Sequence, residues 1–68
     1  MYRFIKDKKK DLLAGRTITY VAEQVGLSRV ALANILLGKF TTKKSTAYII
    51  TKLCNAEKEI ADYFTRED

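Results

Sequence analysis

Three glycines, Gly15, Gly26 and Gly38, are the strong breaks in this 68-residue chain, and it has no proline. Proline is the residue that most reliably interrupts a helix, so the stretches between the glycines are free to be helical throughout. No segment alternates apolar and polar residues with hairpin turns at its ends, so no sheet is indicated. The pattern predicts an all-α fold of five short helices in a single domain, residues 1–68.

Five stretches carry helical signals. The first covers about residues 3–13, with Phe4, Ile5, Leu12 and Leu13 on one side and Lys6, Lys8, Lys9 and Lys10 mostly solvated. The second is capped by Thr17 and places Ile18, Val21, Ala22 and Val25 at i, i+3, i+4 and i+7. Gly26, Leu27 and Ser28 then connect to a third, Arg29 to Leu37, capped by Ser28, with Leu32, Ile35 and Leu36 inward. Residues 39–44, Lys-Phe-Thr-Thr-Lys-Lys, read as a basic loop. The fourth helix is expected after Ser45, with Ala47, Ile50, Leu53 and Cys54 inward. Asn55 is expected to cap the fifth, with Glu57 and Glu59 in its first turn and Ala56, Ile60, Tyr63 and Phe64 inward. The last four residues are expected to fray.

Composition narrows the function. There is no histidine, and the one cysteine, Cys54, has neither a disulfide partner nor a histidine to activate it. Histidine is the commonest acid–base group at neutral pH, so an enzyme is the least favoured class. A structural zinc site lacks ligands, and no cofactor is implied. Cys54 reads as a small core residue. The longest uncharged stretch, Val30 to Gly38, is far too short to span a bilayer, and no apolar run near Met1 suits a secretory signal. The expected setting is the cytoplasm of a bacterial or phage-infected cell.

Charge is distributed unevenly. Residues 1–52 hold eleven basic and three acidic side chains, a net +8, and residues 53–68 hold two and five, a net −3. A basic body with an acidic tail suits a polyanionic partner.

The stretch from Thr17 to Gly38 carries the most specific signal. A small residue, Ala22, stands where two helices cross closely. After three intervening residues comes Gly26 at the turn, then apolar Leu27, then Leu32 and Ile35 on the next helix. Gly38 closes that helix. This spacing resembles the helix-turn-helix of the lambda repressor and Cro family, also called the XRE family, with the motif at about residues 17–38. Ile18 stands where the family often has a phosphate-touching glutamine, Leu36 replaces a common glutamate, and the usual proline of the next loop is absent. The resemblance implies a compact five-helix domain, a small stand-alone Cro-type phage or prophage regulator, a repressor binding double-stranded DNA. It implies two copies on a palindromic operator with half-sites about one helical turn apart. Tyr63 and Phe64 are the expected dimer contact, with core packing as the equal alternative.

With Leu32, Ile35 and Leu36 inward, the third helix presents Val30, Ala33, Asn34 and Leu37 outward. Ser28 and Arg29 sit at its start, where recognition helices reach base edges. Arg29 can bond guanine bidentately and Asn34 adenine; Val30 and Ala33 can touch thymine methyls or simply permit close approach. Phosphate contacts are expected at the start of the second helix, near Thr17 and Thr19, and along Lys39, Thr41, Thr42, Lys43 and Lys44. Lys8, Lys9 and Lys10 read as a solvated face rather than a DNA arm. Tyr20, Phe40 and Tyr48 are too scattered to form a single-strand stacking platform.

Two other functions compete. A modulator of another repressor would use the apolar Val30, Ala33 and Leu37 against protein. A sequence-neutral architectural or RNA-binding protein would bind strongly at low salt without a preferred site. No membrane or small-molecule partner is expected.

Overall fold

The structure is a computed structural model and describes residues 1–67. It corrects the all-α expectation at both ends of the chain. Tyr2–Phe4 forms a strand, β1, and Phe64–Arg66 forms β2, paired antiparallel in the register Tyr2 with Arg66, Arg3 with Thr65 and Phe4 with Phe64. The expected first helix is therefore split. After β1 comes a single 3-10 turn, Lys6–Lys8, and then a short helix α1, Lys9–Leu13. Tyr, Phe and Thr fit a pleated, half-buried surface, and here each strand supplies the other's partner. The expected fraying of residues 65–67 is likewise replaced by strand pairing and by the Glu67 N–H donating to the Met1 carbonyl at 2.7 Å; Asp68 lies outside the described residues.

The middle of the chain follows the predicted plan. Helix α2, Ile18–Val25, starts where the Thr17 hydroxyl accepts the Tyr20 N–H at 3.0 Å. Gly26 ends it at φ 80°, a left-handed conformation that a side chain would strain. The Ala22 carbonyl accepts the N–H groups of both Gly26 and Leu27, which closes the turn. Helix α3, Arg29–Leu36, begins at Ser28, whose hydroxyl accepts the Ala31 N–H at 3.0 Å. Helix α4, Lys44–Cys54, begins slightly earlier than expected.

The fifth helix, α5, is only Ile60–Tyr63, and Asn55 does not cap it. The Asn55 side chain instead accepts the Glu57 N–H at 3.3 Å, and its carbonyl accepts the Lys58 N–H at 3.1 Å, making a turn. Lys52 Nζ holds that turn from α4 by donating to the Lys58 carbonyl at 2.7 Å. Asp62 Oδ2 accepts the Glu59 N–H at 2.8 Å and the Glu59 carbonyl accepts the Asp62 N–H at 3.0 Å, which sets the new start. Ala56, expected inward, is exposed.

The core joins Leu12 from α1, Val21 and Ala22 from α2, Leu32, Ile35 and Leu36 from α3, Ala47, Ile50 and Cys54 from α4, and Phe4, Tyr63 and Phe64. Phe4 stacks on Tyr63 with ring centroids 6.4 Å apart and meets Phe64 edge-on at 5.3 Å. The Tyr63 hydroxyl donates to Asp11 Oδ2 at 2.8 Å. Tyr63 and Phe64 are 1% and 3% exposed, so the expected dimer contact is corrected. These rings are consumed in closing the chain's own core. Among the described residues no helix is long and apolar enough to cross a membrane.

Arg3 links the sheet to α3. Its Nε and Nη2 meet the Glu67 carboxylate at 2.6 and 3.1 Å, and Nη1 donates to the Gly38 carbonyl just beyond α3. The Arg3 guanidinium holds the Glu67 carboxyl below its usual pKa. A depressed carboxyl stabilises the fold above its unfolded value, about 4.3 for glutamate, and loses that contribution as pH falls through the lower folded value. Acid melts of Glu67→Gln and wild type are therefore expected to converge at the acid end of that window, with wild type the more stable above it.

Candidate nucleic-acid interface

Helix α3 has no acidic residue in Arg29–Leu36. Burial of Leu32, Ile35 and Leu36 fixes its rotation, so the opposite stripe faces solvent. Val30 is 66% exposed, the most open of the large apolar side chains in the described chain. Ala33 and Asn34 are half-buried, while Ser28 and Arg29 are exposed at the helix start. The structure thus brings Ser28, Arg29, Val30, Ala33 and Asn34 onto one end and one face of a helix. Ser28 divides its hydroxyl between two tasks. Its oxygen caps the helix, and its proton can still be donated.

The segment after α3 turns tightly. The Asn34 carbonyl accepts the N–H groups of Lys39 and Phe40 at 3.0 and 3.4 Å, so the Asn34 backbone anchors the basic loop. Lys39 is exposed and Thr41 is half-buried. Thr42 is corrected as a phosphate contact. It is 7% exposed, and its N–H and carbonyl both pair with Tyr2 at 2.8 Å, extending the sheet by an isolated bridge. Lys43 and Lys44 remain exposed where α4 begins, and no side chain caps that helix. Its first N–H groups are open to an anion beside two ammonium groups.

Thr17 and Thr19 are exposed at the start of α2. Thr17 uses its oxygen on the Tyr20 N–H, which leaves the N–H groups before Tyr20 as the anion-facing donors. Cys54 is buried, and that burial pushes its thiol up, away from the reactive thiolate.

Sequence reasoning read Lys9 and Lys10 as a solvated face and gave Arg16 no role, and the structure groups the three cations together. Lys9, Lys10 and Arg16 line one open groove with Leu13 and Gly15. The available signal was Arg16 itself, a cation directly before the α2 cap. Two exposed apolar side chains, Leu37 and Phe40 at 42% and 52%, border the end of α3.

No protein-family model, no curated protein and no solved structure matches this chain.

Proposed function

We propose that this protein is a sequence-specific regulator that binds double-stranded DNA, a Cro-like repressor of the lambda repressor/XRE type acting in the cytoplasm. The observation that carries this reading is the outward face of α3. It joins an exposed Arg29 and a reachable Asn34 to small or apolar neighbours, with no acid on the helix. Such a face fits a major groove, where arginine reads guanine, asparagine reads adenine, and apolar groups approach thymine. The exposed Lys39, Lys43 and Lys44 and the N-terminal end of α2 supply phosphate contacts beside it. Two copies bind paired half-sites of a palindrome, and their mutual contact lies outside Tyr63 and Phe64.

The test is selection from a random duplex library at physiological salt. An enriched palindrome is the expected result. Retention without enrichment, strongly salt-dependent, would support a sequence-neutral binder instead. Weak retention of all duplexes would favour a modulator that docks protein on exposed Val30, Leu37 and Phe40.

Lys43→Gln and Lys44→Gln are expected to weaken specific and random duplexes by the same factor. Each lost phosphate contact lowers the slope of log affinity against log salt by about 0.9. Titrations at several salt concentrations measure this.

A further inference from the structure

The turn between α1 and α2 builds a cationic groove that the α3 reading does not use. Lys9, Lys10, Leu13, Gly15 and Arg16 line an open space of about 460 Å3, and every charged side chain in that lining is a cation. Its shape comes from the backbone. Ala14 and Gly15 are both left-handed, at φ 49° and 88°, and they fold Arg16 back beside the end of α1. The Arg16 N–H then donates to the Leu13 carbonyl at 2.9 Å.

The Arg16 guanidinium is fixed in place rather than free to sweep solvent. Its Nη1 donates to the Leu13 carbonyl at 3.3 Å and to the Cys54 carbonyl, the end of α4, at 3.2 Å. Both anchors are neutral, so they orient the fork without cancelling its charge, and the other nitrogens keep their donors. The acid in α1, Asp11, is engaged elsewhere, accepting the hydroxyl of buried Tyr63. Arg16 directly precedes Thr17, the cap of α2, so the groove adjoins the N-terminal end of the helix-turn-helix.

We propose that this groove holds backbone phosphates of the same duplex, outside the segment whose major groove α3 occupies. This rests on the DNA-binding reading above. An anchored guanidinium beside two lysines on an open groove matches successive phosphates. The groove's contribution is to affinity and footprint length, not to site choice.

The test uses Lys9→Gln/Lys10→Gln, which leaves the Arg16 anchors intact. On the selected operator its salt slope is expected to fall by about 3.6, which is about 0.9 for each of two phosphates in each of the two bound copies. Specific and random duplexes should weaken by the same factor, with the thermal midpoint unchanged. Ethylation of phosphates flanking the α3 segment should hinder wild type and not the variant. A slope and an ethylation pattern equal to wild type would overturn the groove while leaving site-selective binding intact. Failure of the unaltered protein to bind any duplex would overturn the reading beneath it. Arg16→Gln supplies the second variant: a lowered slope in folded protein supports the groove, and an unchanged slope in folded protein overturns it.

Discussion

Tyr63→Ala is expected to leave the protein largely unfolded at 25 °C. The ring is 1% exposed and stacks on Phe4, and the hydroxyl is tied to Asp11. Removing a buried aromatic ring costs about 3–5 kcal/mol. A single core in a chain this short supplies only about 3–5 kcal/mol of net stability. The loss and the reserve are of the same size, so the folded population collapses. Circular dichroism and thermal melts measure it. Tyr63→Phe keeps the ring and drops only the hydroxyl's bonds to Asp11 and Asn55, a smaller loss of about 1.5–3 kcal/mol set by the charged acceptor. An alanine variant with full helical signal would show that the ring serves an outer contact and not the core.

The second large effect is on DNA. Arg29→Ala is expected to cost about 1–3 kcal/mol for each half-site of the selected operator, a loss of about 5- to 150-fold per half-site, and to relax preference at one base pair of each half-site. Asn34→Ala should do the same at a different base pair. Alanine is a good helix former, neither residue belongs to the core cluster, and Asn34 anchors the loop through its backbone carbonyl, so neither variant should disturb the fold. The two positions lie five residues apart, about 7.5 Å along the axis, so their effects should nearly add. The double variant should bind its operator little better than random duplex. Titrations on the operator and on its single-base-pair variants separate the alternatives. An equal loss on all duplexes would make Arg29 a phosphate contact.

The parts of the fold that depend on neighbouring residues were legible in the sequence. Thr17, Gly26 and Ser28 announce α2, the turn and α3 because caps and left-handed turns are settled within a few residues. The apolar spacing of Leu32, Ile35 and Leu36 fixes which face of α3 is outward, and the base-facing candidates follow from that. What was not legible depends on distant partners. Tyr2–Phe4 is too short to show a period of two, and it becomes a strand only because Phe64–Arg66 lies beside it. Thr42 looks like an ordinary loop threonine until Tyr2 pairs with it. Tyr63 and Phe64 could have served either core or interface, and Phe4 decides for the core. The fifth helix shortened because the Asn55 side chain closed a turn instead of a cap.

The Arg3–Glu67 pair that closes the sheet has a kinetic meaning. Its partners are 64 residues apart, whereas α2 and α3 meet across a three-residue connection. Distant contacts carry a larger loop-closure entropy and form more readily once local ones have drawn the chain together. The helix-turn-helix is therefore expected to assemble early and the terminal ladder late. Changes in Arg3 or Glu67 should then speed unfolding while hardly slowing refolding. The ladder acts as a latch on an already formed body, setting how long the folded state lasts more than how quickly it is reached.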